Sequence, residues 1–160
     1  MHQGCIFTRM KLTNFTDYSL RVLIFLATDP LRRATINEIA TAFGISENHL
    51  MKVVHHLARD GWINTVRGKG GGIELALDAA SIVVGDIVRG AEGKPQPAEC
   101  FNRETNTCPI IKACGMRDIF GEAVDAFYAV LDNYTVADLM GKRNKVAKAL
   151  FGKAPLRLRA

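Results

Sequence analysis

No apolar run in this 160-residue chain approaches a membrane span: the longest, Val22 to Ala27, falls far short of the roughly 20 residues a bilayer requires. Cys5, Ile6 and Phe7 are too few to form the apolar centre of a secretory signal, so the expected address is the cytoplasm, where thiols stay reduced. The chain has no C-x-x-C redox pair, no nucleophile–base constellation and no G-x-x-x-x-G-K-[ST] loop. Those absences argue against an enzyme. Internal repeats and low-complexity tracts are also missing, and the 48% hydrophobic and 23% charged content belongs to a folded globular chain. Acidic residues stop at Asp138; the last twenty residues carry seven Lys or Arg and no Asp or Glu. The basic pI near 9.2 therefore comes from the tail, and basicity alone is a poor argument for a nucleic-acid partner.

The local pattern makes that argument instead. Residues 1–9 show no periodicity and read as a disordered leader ahead of Met10. Thr16 to about Thr28 predicts a helix, with Thr16 as cap, Asp17 in the first turn and Leu20, Leu23, Ile24 and Ala27 at helical spacing. Thr35 and Glu38 form a capping box for a second helix, Gly44 closes it, and Ser46 caps a third running to about Asp60. Two helices joined by a short glycine turn are a helix-turn-helix. Trp62–Val66 and Ile73–Leu77 predict the strands of a hairpin whose tip, Arg67-Gly-Lys-Gly-Gly-Gly72, carries two cations. Helix, turn, helix and basic wing predict a DNA-binding unit. Ser46, Asn48, His49 and Lys52 occupy the start of the recognition helix, and Arg67 and Lys69 suit the phosphate backbone or a minor groove. His55 and His56 are adjacent, so one packs inward while the other faces out.

A helix over Ser81–Ala91 precedes a proline-rich loop with Cys100, Cys108 and Cys114, spaced C-x7-C-x5-C. Disulfides suit neither a reducing compartment nor an odd count. Zinc prefers closely spaced Cys pairs with a fourth ligand nearby, and none of the four histidines lies in this loop. Thiolates also select iron–sulfur clusters. By spacing alone, cluster, zinc, and reactive or incidental thiols all remain open. Met116 to about Tyr134 predicts a long helix with Ile119, Phe120, Val124, Phe127, Val130 and Leu131 as a broad apolar stripe. Thr135 and Asp138 open a last helical turn.

Four segments together resemble the NsrR-type repressors, nitric-oxide-sensing iron–sulfur winged-helix regulators of bacteria. They are Met10-Lys-Leu-Thr-Asn-Phe-Thr-Asp-Tyr-Ser-Leu-Arg21, the Val66-Arg-Gly-Lys-Gly-Gly-Gly72 wing, the three-cysteine loop, and Leu131-Asp-Asn-Tyr-Thr-Val-Ala-Asp-Leu139. The resemblance spans about residues 10–140. It implies a mainly α fold with a small β-hairpin wing, a winged helix-turn-helix domain plus a long C-terminal dimerisation helix. With the sequence pattern, the expected organisation is a leader at 1–9, the DNA-binding domain at 10–78, a short helix and cluster-binding loop at 79–115, a dimerisation helix at 116–140 and a basic flexible tail at 141–160, the leader and tail being unexplained by the resemblance. It further implies a homodimer on double-stranded operator DNA, released when nitric oxide nitrosylates the cluster. Each protomer would hold a 4Fe–4S cluster, 2Fe–2S being the other nuclearity considered, by Cys100, Cys108 and Cys114. Asp17 of the other subunit would be the fourth ligand. IscR-type relatives carry a histidine after the third cysteine, whereas this chain has Gly115-Met116-Arg117. A carboxylate is a hard, weakly held ligand beside three thiolates, so losing it would untether the first helix. Arg21, four residues on, is the switch candidate that would take Asp17 over; as a plain surface ion pair it would contribute only a few tenths of a kcal/mol.

Overall fold

A computed structural model describes residues 11–152. The leader at 1–9, Cys5 and the last eight residues of the tail lie outside the described residues. The element order is α1 (Asn14–Thr28), α2 (Ile36–Phe43), α3 (Glu47–Arg59), β1 (Ile63–Val66), β2 (Gly72–Leu75), α4 (Val84–Glu92), α5 (Met116–Leu131), α6 (Val136–Leu139) and α7 (Arg143–Phe151). The expected class, mainly α with a hairpin wing, is the one found.

The first helix begins earlier than its sequence suggests. Thr13 is the cap, its hydroxyl accepting from the Thr16 amide, and Thr16 is itself fully buried. Thr35 and Glu38 cap α2 reciprocally, and Gly44 ends it at φ 64°, a left-handed conformation glycine adopts without penalty. Ile45 is buried in the turn and Ser46 caps α3. Leu50, Val53, Val54 and Leu57 drive one face of α3 into a core built with Val22, Leu23, Ile39 and Ile63. Burying each such side chain contributes about 1.5–3 kcal/mol, and this anchoring leaves the opposite face of α3 to solvent.

The wing strands pair antiparallel in the register Ile63↔Leu75 through Val66↔Gly72. They are shorter than the sequence suggested because Trp62 and Ala76 share only one backbone bond beyond the ladder. Ala34 extends the sheet on its other edge, exchanging two bonds with Ile73 at 3.0 and 2.7 Å. The wing is thereby tied to the α1–α2 connection.

After α5 the chain turns back. The expected helix to Tyr134 stops at Leu131, because the Asn133 side chain bonds the Ala129 carbonyl and Thr135 and Asp138 cap a new start. Val84 and Val136 then bond the Tyr134 and Ile82 carbonyls, so residues 132–140 belong with the core and do not prolong the long helix. The flexible tail expected at 141–160 is corrected over Arg143–Phe151. This stretch forms α7, with Ala147 buried and Phe151 edge-on to Phe25 at 5.0 Å. Arg143 donates two bonds, at 3.1 and 3.0 Å, to the Thr28 carbonyl that α1 leaves without a helical partner. The basic composition hid that apolar face.

Candidate functional site

The outward surface of the helix-turn-helix collects the expected DNA-reading groups. Ser46, Asn48, His49 and Lys52 are all exposed at the start of α3. Ser46 serves two roles there: its oxygen accepts from the His49 amide and lies 3.0 Å from His49 Nδ1. The Asn37 amide donates to Glu47 at 2.8 Å, locking the N-termini of α2 and α3 together.

Arg67 and Lys69 are exposed at the wing tip. The tip cannot accept side chains freely: a Cβ on Gly71 would collide with the Val66 carbonyl oxygen. Arg33, which the sequence did not single out, braces the wing by donating to Glu74 at 2.8 Å and to the Gly70 carbonyl at 3.4 Å. His56 packs beside the Phe15 ring, with its Nε2 3.4 Å from Asp60, while His55 is exposed.

Cys100, Cys108 and Cys114 are free thiols, each half-buried, and all three line one concavity of about 190 Å³ with Ile110, Ile111 and Met116. No group of three or more metal-ligating side chains is gathered around a single point among the described residues. The loop is built by its own hydrogen bonds. Glu99, beside Cys100, accepts from the amide and hydroxyl of Thr107, beside Cys108, at 2.6 and 2.8 Å. The Thr107 amide and hydroxyl hold the Glu99 carboxyl below its ordinary range. Asn106 accepts from the Cys108 amide, and the Met116 amide lies 3.5 Å from Cys114 Sγ. That last contact puts Cys114 at the N-terminus of α5. Glu99 and Thr107 escape sequence reading because their pairing across the loop depends on a turn that has no periodic signature.

Asp17 stands elsewhere. It lines a separate, open concavity of about 620 Å³ with Tyr18, Arg21, Phe43 and Ile45, and pairs with Arg21 at 2.8 Å. Within one chain the structure therefore joins the three cysteines to one another and Asp17 to Arg21, without uniting the two sets. Glu92, also missed in the sequence, links their supports. It is the last residue of α4, before the cysteine loop, and accepts from the Thr13 amide at 2.7 Å and from the buried Thr16 hydroxyl. Partial burial raises the Glu92 carboxyl, but those threonine bonds outweigh it and hold the group below its ordinary range.

On α5, Val124, Tyr128 and Leu131 pack towards α4, whereas Ile119, Phe120, Phe127 and Val130 remain exposed. Arg89 grips Asp132 with two bonds at 2.7 and 2.6 Å and stacks on Tyr128 at 4.6 Å, fixing α4 against α5. The bond to Arg89 holds the Asp132 carboxyl low, and that to Asp132 raises Arg89.

A helix-turn-helix with a braced basic wing, followed by a long helix with an uncovered apolar face, defines a winged-helix DNA-binding regulator. The family described as "Rrf2: Iron-dependent Transcriptional regulator" matches residues 12–142, and the chain belongs to that family. It is 46% identical over 142 residues to the HTH-type transcriptional regulator NsrR of Bacillus subtilis, covering 88% of this chain and 97% of the relative. The NsrR of Geobacillus kaustophilus shows the same identity and coverage. Among solved structures, oxidised CymR of Staphylococcus aureus matches with a TM-score of 0.64 at 28% identity, over 82% of this chain and 97% of that one. IscR of T. potens matches with a TM-score of 0.67 at 23% identity, over 91% and 95%, a likeness of fold. The resemblance to NsrR-type regulators is borne out by these relatives, which are transcriptional regulators and not enzymes. No helix among the described residues is long and apolar enough to cross a membrane.

Proposed function

We propose that this chain is a homodimeric repressor that holds a 4Fe–4S cluster and leaves its operator DNA in response to nitric oxide. Cys100, Cys108 and Cys114 are the protein's thiolate ligands, and Asp17 of the opposite subunit is the fourth. The observation that carries this reading is the set of three half-buried thiols lining one concavity. Their C-x7-C-x5-C spacing departs from the closely spaced Cys pairs of zinc sites. The donor chemistry fits, since soft thiolates select iron–sulfur clusters. When bound, the group would supply iron, a centre that can take nitric oxide as a ligand, which the thiols alone do not offer.

The protein's own contribution is mechanical. Asp17 sits in the first turn of α1, and α1 packs directly against α3. Holding Asp17 from the other subunit fixes the recognition helix of one protomer relative to its partner. Once released, Asp17 rests on Arg21, and the two α3 helices lose their common spacing. Dimers engage half-sites about one helical turn, roughly 34 Å, apart, so a shift of a few ångströms suffices to abolish joint binding. Ser46, Asn48, His49 and Lys52 read the major groove in this account, while Arg67 and Lys69 hold the backbone. The uncovered stripe of Ile119, Phe120, Phe127 and Val130 is the dimer face.

The test is iron and sulfide content of protein purified without oxygen. About four irons per chain, reduced in Cys100→Ser, Cys108→Ser and Cys114→Ser variants, is the expected result. A colourless protein with one zinc per chain would overturn it. The family's description as iron-dependent favours a second reading, in which the same cluster reports iron supply or redox state. Comparing nitric oxide, an iron chelator and oxygen as triggers of DNA release separates the two.

A further inference from the structure

The family model's match ends at residue 142, immediately before α7. One side of α7 is fastened to the DNA-binding core: Arg143 bonds the Thr28 carbonyl, Ala147 is buried, and Arg32 stacks over the Phe151 ring at 5.9 Å. The other side exposes Lys142, Lys145 and Lys148. None of these lysines makes an ion pair with a carboxylate among the described residues. No acidic residue follows Asp138 in the sequence.

Two of the three charges are set against the local field, while Lys148 in the last turn is aligned with it. Lys142 is the N-cap of α7 and Lys145 lies in its first turn, where the helix dipole disfavours cations. Arg143 is compensated by its carbonyl partner; Lys142 and Lys145 are not. Exposed and without a carboxylate partner among the described residues, these lysines are open to an external anion. The position says which one. Leu150 and Phe151 form one wall of an open groove whose other wall is Asn37, Glu38 and Thr41 of α2, and Asn37 bonds Glu47 at the start of the recognition helix. The lysine-bearing helix thus flanks the helix-turn-helix itself.

We propose that α7 is an additional DNA-contacting element, its lysines neutralising phosphates outside the segment read by α3. This inference rests on the DNA-binding reading above. It contributes affinity without base discrimination, because lysine-to-phosphate contacts carry no sequence information.

The experiment measures binding of the full chain, purified without oxygen, to two 40-base-pair duplexes across a salt series. One is a duplex enriched by selection from random sequence, the other an unselected duplex. The combined variant Lys142→Gln, Lys145→Gln, Lys148→Gln should lower the slope of log affinity against log salt by about 1–3 per chain. Its affinity at 0.1 M salt should fall about ten-fold or more on both duplexes, leaving their ratio unchanged. The arginine counterpart, with all three lysines replaced by Arg, should keep the wild-type slope, and both variants should melt like wild type. An unchanged slope in the glutamine variant would overturn the proposal and assign the lysines to another acidic partner or to solvent. An equal loss in the arginine variant would overturn it as a structural effect. Salt-insensitive or absent binding by the wild-type chain would instead remove the DNA-binding reading, and the inference with it.

Discussion

Asp17 and Arg21 form a half-exposed pair at 2.8 Å on the first two turns of α1. An ion pair of that exposure adds a few tenths of a kcal/mol to folding, so Arg21→Ala should leave the melting temperature within about 2 °C. The proposed switch assigns Arg21 a different task, stabilising the released position of Asp17. Arg21→Ala should therefore raise the DNA affinity of cluster-free protein several-fold while leaving the cluster-loaded form unaffected. Equal affinity of wild type and variant in the cluster-free state would confine Arg21 to a surface role. The ligand role proposed for Asp17 comes only from the resemblance; by itself, an acidic first-turn residue is what any helix favours. Glu92 was not legible at all, since its partners Thr13 and Thr16 lie 79 and 76 residues away.

Between residues and whole molecule, the elements divide by how their signals are written. The recognition helix is periodic, and its apolar face appears in the structure as read: Leu50 is fully buried at the contact with the core. Leu50→Ala should cost about 2–5 kcal/mol, visible as a lower urea midpoint with unchanged slope. Gly44 was legible for the same reason, as a stop placed between two caps. Gly44→Ala forces a Cβ into left-handed backbone and should cost about 1–2 kcal/mol. The α7 helix was missed because it lies in the acid-free basic tail, while its docking depends on Arg143 reaching Thr28, 115 residues away. Thr13 displaced Thr16 as the α1 cap because the helix takes in Asn14 and Phe15, which carry no start signal of their own. Four carboxylates fasten elements together, Glu38, Glu92, Asp132 and Asp138, and each is held below its ordinary range. For Glu38, partial burial pushes upward and the Thr35 and Arg32 bonds prevail; for Asp132 and Asp138 the bonds to Arg89 and Thr135 lead. A depressed carboxylate contributes stability that is present at neutral pH and lost as pH falls through its folded pKa. Urea midpoints should be level above about pH 6 and decline below about pH 5. A maximum in acid would contradict that assignment.

At the scale of the molecule, one chain presents a complete winged helix but two unfinished features: an uncovered apolar stripe on α5, and an Asp17 remote from the cysteines. The proposed dimer would complete both. Ile119→Asp with Val130→Asp should leave the DNA-binding core folded and shift sedimentation from dimer to monomer, since both residues are exposed in the single chain. The fold was legible because binary patterning and caps agree along most of the chain; the proposed association of two chains has only the width of the α5 stripe as its trace in the sequence. The most direct measurement titrates nitric oxide, without oxygen, into the cluster-loaded protein bound to a selected operator duplex, following visible absorption and DNA occupancy together. The account predicts that both fall in step within a few equivalents per cluster, and that Asp17→Ala protein starts with weakened occupancy. Loss of absorption with the DNA still bound would contradict it.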